Sequence, residues 1–125
     1  MSEIIQGEGF TIKLNKFDYF FGRVTSNPDN QRRSLDNLNG LRQFGIEEEN
    51  NGREQLLQIF QQGLNAPQVG RKRDRYGTTI VRKVEIAMPD LQGAIEISYL
   101  YCNNDFNSIP EVTTLITKIY PPEQP

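Results

Sequence analysis

The alternation of apolar and polar side chains changes period twice along the chain. Phe10, Ile12 and Leu14 alternate with Thr11 and Lys13, which predicts a short half-buried strand. Phe17, Phe20, Phe21 and Val24 then fall at i, i+3, i+4 and i+7, one face of a short helix. Asn15 reads as its cap, with Asp18 as a reciprocal partner. Asn27 followed by Pro28 suits the start of a second helix. Leu35, Leu38, Leu41 and Phe44 recur every third residue and Gly45 suits a left-handed stop, so that helix spans about 28–44. Its polar face carries Arg32, Arg33, Asn37 and Asn39. A third helix starts at Asn51, with Glu54 completing a capping pair, and buries Leu56, Leu57, Ile59, Phe60 and Leu64 before Pro67 and Gly70 end it.

Beyond a polar, basic loop from Gly70 to Gly77, the period becomes 2. Val84, Ile86 and Met88 alternate on one strand, and Ile95, Ile97, Tyr99 and Tyr101 on the next. A turn at Pro89 to Gly93 joins them. A polar loop from Asn103 to Pro110 leads to a last strand from Val112 to Tyr120. Helices first and strands last predict an α+β fold, with N-terminal helices packed on one face of a small C-terminal antiparallel sheet, a meander. The 125 residues fit one domain, 1–125, with 1–9 and the Pro-rich 121–125 as flexible ends.

Composition removes several chemistries. The chain has no histidine and one cysteine, Cys102. A Ser-His-Asp or Cys-His centre is excluded, as are an internal disulfide and a zinc site of the usual kind. No metal or cofactor is expected, and Cys102 reads as a small buried hydrophobe rather than a nucleophile. No apolar run approaches the roughly 18 residues of a membrane span, so no membrane partner is expected. The first residues lack the basic and apolar regions of a signal peptide, so a secreted chain would travel by another route or within a longer protein. The net charge of −2 argues against a surface that is basic throughout. Charge is nonetheless clustered, acidic at Glu47, Glu48 and Glu49 and basic at Arg71, Lys72, Arg73 and Arg75.

The basic run is the best local signal for RNA. Arginine matches phosphate with a planar fork, and Tyr76 adds a ring for stacking. The bland alternative is a solvated loop, as the arginines of the second helix are on the bland reading a solvated face. The strands add Thr78, Thr79, Arg82, Lys83, Thr113, Thr114, Thr117, Lys118 and Tyr120. Cleavage of an RNA backbone needs a group to take the 2′-OH proton, a group to protonate the leaving oxygen and a cation for the transition state. Lysine, tyrosine, arginine and carboxylates can divide that work without histidine.

The stretch "FDYFFGRVTSNPDNQRRSLDNLNGLRQFGI", the strand led by "YGTTIVRKVEI" and the ending "IPEVTTLITKIYP" resemble C-terminal effector domains of bacterial polymorphic toxins. These modules end filamentous-haemagglutinin-like and contact-dependent inhibition proteins, and many belong to the barnase–EndoU–colicin–RelE group of ribonuclease folds. The resemblance covers about Phe17 to Pro121. It implies a metal-independent ribonuclease acting on RNA in the cytoplasm after delivery on a longer carrier, with a cognate immunity protein as partner. Carried over, it places Arg23, Asn30, Arg33 and Ser34 near the site, with Thr113 or Thr114 on the last strand. Domains of this kind often hold a histidine just before the asparagine matching Asn30, and here that place holds Asp29. Activity then either rests on other groups, Arg33, Asp29 and Lys83 being the candidates, or is weakened or lost. Arg23, Asn30, Ser34, Thr114, Tyr76 and the four basic residues from Arg71 to Arg75 are the candidate RNA contacts. Two other readings stay open: a non-catalytic protein-interaction module on the same fold, and a structural role with no site.

Overall fold

Two strands precede the helices. β1 (Ile4–Gln6) and β2 (Thr11–Lys13) form a small antiparallel hairpin. α1 (Lys16–Phe20), α2 (Pro28–Gln43), a single 3-10 turn (Glu48–Asn50) and α3 (Gly52–Gly63) follow. The chain then runs through β3 (Gln68–Asp74), β4 (Gly77–Met88), β5 (Leu91–Cys102) and β6 (Glu111–Ile119). All six strands share one sheet, in the order β1-β2-β6-β5-β4-β3. The structure is a computed structural model and describes residues 3–121.

The α+β class and the order of helices before the main strands agree with the sequence. The sheet is not a purely antiparallel C-terminal meander, however. β2 lies parallel to β6, with Thr11 beside Glu111 and Ile12 beside Val112. Ile4–Gln6, expected within a flexible end, is a strand, and three residues are too few for alternation to register. Gln68–Asp74, expected mostly as a basic loop, is an edge strand paired with β4 from Gln68 beside Arg82 to Asp74 beside Gly77. Six of its seven residues are exposed, so it carries no apolar period. Cys102 is exposed at the end of β5 rather than buried. Residues 122–125 of the expected flexible tail lie outside the described residues.

One face of the sheet supplies Val84, Ile95, Ile97, Tyr99, Val112 and Leu115 to a single core with Phe17, Phe20, Leu41, Leu56 and Phe60 from the helices. Phe60 meets Phe10 and Phe20 edge-on, with ring centroids 5.9 and 6.1 Å apart. Such pairs add about 0.5–1.5 kcal/mol each beyond the area they bury. On the opposite face Lys83, Glu96 and Ile116 stand in one cross-strand row.

α2 buries a different stripe from the one its leucines mark. Ser34, Asn37, Gly40 and Leu41 are buried, while Leu35 is 41% exposed. A helix turns about 100° per residue, so a three-residue step falls about 60° short of a full turn. Residues 35, 38, 41 and 44 therefore drift around the axis, and the true face is the i, i+3, i+7 set 34, 37 and 41. The cap at Asn27 forms as expected, its side chain accepting from the Asn30 N–H at 2.8 Å. Asn51 adopts a left-handed conformation (φ 63°) and makes no side-chain cap, so its expected capping pair with Glu54 does not form. Asn15 likewise makes no side-chain cap on α1.

Tyr99 shows how α3 is held to the sheet. Its ring is fully buried and its hydroxyl donates to the Phe60 carbonyl at 2.6 Å. Tyr99→Phe should cost about 1–2 kcal/mol in urea unfolding, because it leaves a buried carbonyl unpaired. Burial, with Tyr101 nearby, pushes the Tyr99 phenol pKa well above its ordinary value, against a smaller opposing effect of Arg82. In the unfolded chain this phenol ionises near about pH 10. Above that pH the unfolded state binds fewer protons than the folded one, so stability falls as pH rises. The phenylalanine variant should lose this part of the alkaline slope.

Candidate functional site

After Lys13 the chain leaves the sheet and turns into α1, so β6 has no strand partner on its outer edge beyond Val112. α1 and α2 flank that edge instead, both in contact with β6. Gly40 permits the close approach of α2, since a Cβ there would stand only 2.5 Å from the Thr117 Cβ. Alongside the N-terminal half of α2 lies a groove of about 500 Å³, lined by Tyr19, Arg33, Asp36, Asn37, Thr114 and Ile116. Leu115 adds an apolar lining.

Arg33 is exposed, and no carboxylate among the described residues pairs with it. Its fork is therefore available to a phosphate. Arg33, Asp36 and Asn37 fall at i, i+3 and i+4, so one helix face presents a cation, a carboxylate and an amide together. Ser34 lies beneath them and is fully buried. Its hydroxyl donates to the Tyr19 carbonyl at 2.7 Å and accepts from the Val24 N–H at 3.4 Å. Ser34 thus fixes α1 to α2 and sets where Tyr19 stands; its side chain has no accessible surface with which to touch RNA. Ser34→Ala should lower stability by about 1–2 kcal/mol, read as a lower urea midpoint, since the Tyr19 carbonyl loses its donor.

Of the residues expected at a site, the structure brings Arg33 and Thr114 together on this groove. Asp29 is outside the groove lining, its carboxylate 80% exposed and 3.6 Å from Arg32. The Asn30 side chain donates to Ser26 at 3.1 Å, within the helix start. Arg23 binds Asp18 at 2.8 Å and also pairs with Glu48. Glu48, then Asp18, raise its pKa further, so it ties α1 to the 3-10 turn. That use of Glu48 also draws the acidic run into the fold. The Thr113 hydroxyl points toward the Ser98 carbonyl, 3.4 Å away across the sheet.

Lys83 stands on the open face, two strands from β6, about 10 Å across the sheet. There it lies 3.3 Å from Glu85 and over the Tyr120 ring. Hydrogen bonds to Tyr120 and Glu85 raise its pKa. Arg71, Lys72, Arg73, Arg75 and Tyr76 are on the β3–β4 hairpin at the far edge of the sheet. Sequence reading missed Tyr19 and Asp36. The helical spacing of Asp36 from Arg33 was a usable signal. Nothing in the sequence near Tyr19 shows that β6 passes beside it.

Among the described residues, no group of three or more histidine, cysteine or carboxylate side chains is placed to hold a metal ion. No described helix is long and apolar enough to cross a membrane.

No protein-family model matches the chain, and a search of the curated proteins finds no match. Among solved structures, the chain is similar to one in a contact-dependent growth inhibition toxin–immunity protein complex from Klebsiella pneumoniae 342. The likeness has a TM-score of 0.69 at 23% identity and covers 86% of this chain and 98% of that one. At that identity it shows a shared fold.

Proposed function

We propose that this chain is a toxin-type ribonuclease that works without a metal ion, with the groove between α2 and β6 as its site. The observation that carries the reading is the convergence on one groove of an unpaired arginine, a carboxylate, an amide, a phenol and a hydroxyl. A structural neighbour from a toxin–immunity protein complex supports the toxin part of the reading.

In the proposed reaction, Asp36 takes the proton of a ribose 2′-OH, and that oxygen attacks the adjacent phosphorus. The bond from phosphorus to the 5′-oxygen of the next nucleotide breaks. Tyr19 gives its proton to that oxygen, leaving a 2′,3′-cyclic phosphate on the upstream fragment. Arg33 holds the phosphoryl oxygens as charge builds on them, with Asn37 and Thr114 as further donors. The partner of such a domain is an immunity protein that covers the groove, and its place of action is the cytoplasm.

The test is incubation of the purified protein with total tRNA and rRNA, with and without EDTA. Cleavage that survives EDTA and leaves cyclic phosphate ends is expected. Intact RNA at high protein concentration would overturn the reading. The second reading is a non-catalytic interaction module, and one observation favours it. Ile116, which lines the groove on a strand edge without a strand partner, is 53% exposed, which suits a protein partner.

A further inference from the structure

The β3–β4 hairpin lies three strands from the groove, about 14 Å across the sheet. Arg71, Lys72, Arg73 and Arg75 are all exposed there, and no acidic side chain among the described residues pairs with them. Their cross-strand neighbours are neutral, with Arg71 beside Ile80, Lys72 beside Thr79 and Arg73 beside Thr78. The only acid in the run, Asp74, accepts from the Tyr76 N–H at 2.8 Å and shapes the turn. So four like charges, three on the edge strand and one in its turn, crowd together in a chain whose net charge is negative.

Charge on an edge strand deters pairing with other chains. That role needs no aromatic rings, yet two exposed rings stand in this patch. Arg71 lies over Phe106 at 5.1 Å and Arg75 over Tyr76 at 4.9 Å. Phe106 is 46% and Tyr76 58% exposed. Tyr101 backs Phe106 at 5.4 Å, which holds that ring in place. Guanidinium groups beside exposed rings, with Arg75 also donating to the Tyr76 hydroxyl at 2.7 Å, together with the unpaired cations Lys72 and Arg73, suit a ligand that offers both phosphates and flat rings. Arg71 and Arg73, two residues apart, share one face of the strand and repeat at a spacing of about 6.6 Å, suited to successive phosphates of an extended strand.

We propose that this hairpin is a second RNA-binding surface, which grips a single-stranded segment of the substrate away from the groove. The choice of RNA among polyanions rests on the ribonuclease reading. A base stacks on Phe106 or Tyr76, and the basic side chains follow the backbone. Substrates with an unpaired loop reaching both surfaces are favoured over plain duplex.

The test is fluorescence anisotropy with a short single-stranded 2′-O-methyl oligonucleotide, which cannot be cleaved by 2′-OH attack, over a range of salt. A variant carrying Arg71→Gln, Lys72→Gln, Arg73→Gln and Arg75→Gln should bind at least about tenfold more weakly at low salt. The slope of log K against log salt should shrink by about 2–3, at roughly 0.7 per phosphate contact. Phe106→Ala with Tyr76→Ala should weaken binding about five- to tenfold and leave the slope alone. All six residues are exposed, and an unchanged Tm confirms the fold. Unchanged affinity and slope in the basic variant would overturn the proposal. So would oligoglutamate of matched charge competing as well as RNA, which would mark a protein-binding patch, or equal affinity for duplex. Lost cleavage with intact hairpin-dependent binding would sink the catalytic reading and leave this one standing.

Discussion

Arg33→Ala should lower RNA cleavage by about 10²–10³-fold, as loss of one preorganised donor to a charged transition state does elsewhere. Its melting temperature should not move, because the side chain is exposed and makes no ion pair among the described residues. Arg33→Lys separates charge from geometry. Lysine keeps the cation but not the planar fork that meets two phosphoryl oxygens at once. It should recover only part of the lost rate. Full activity in Arg33→Ala, measured on tRNA and rRNA beside the wild type, would move the site off α2. The open-face cluster of Lys83, Glu85 and Tyr120 would then be the next place to look.

Gly40→Val should be the most damaging single change to the fold, at about 3 kcal/mol or more by overpacking against a strand that cannot retreat. An added side chain at Gly40 overlaps the Thr117 side chain. β6 is hydrogen-bonded along β5, with Ile95 beside Thr117, so yielding would disturb the sheet. The groove lies next to the same approach, since Asn37, one turn before Gly40, lines it. Gly40→Ala gains about 1 kcal/mol of helix propensity and still meets Thr117. Thr117→Gly in the same chain removes both the Cβ and the hydroxyl that the new methyl group meets, so the double variant should lose less than the two single losses added together. Urea unfolding of the two single variants and the double variant reads this coupling directly. Additive losses would mean that the contact with Thr117 is not what Gly40 provides.

The elements with a long apolar period could be read from sequence because burial forces the period. β4, β5 and α3 each set one face against the core, and their patterns follow. β3 had no period to read, since the sheet edge leaves almost all of its side chains in water. β1 and β2 are too short, and they are set by pairing with each other and with β6, a contact about 100 residues away in sequence. On α2 the leucines pointed to one stripe and packing used another. The buried serine is held by the Tyr19 carbonyl of α1, and the buried asparagine lies beside β6, one turn before the glycine that lets the helix come close. The site was half legible for related reasons. Arg33 and Thr114 could be singled out as chemistry on a helix and on a strand. Their meeting on one groove depends on where α1 replaces β2 beside β6, which is tertiary information. Arg23 and Ser34 looked like contacts to RNA, and the fold uses both to hold α1 in place.

The most direct measurement of the central claim is an amide and side-chain NMR titration of the protein with an uncleavable 2′-O-methyl dinucleotide. The largest shifts are expected at Asn37, Thr114, Leu115 and Ile116 and at the Arg33 Nε–H, around the groove. Shifts gathered instead around Lys83, Glu85 and Tyr120 on the open face, or none at saturating ligand, would contradict a ribonuclease site between α2 and β6.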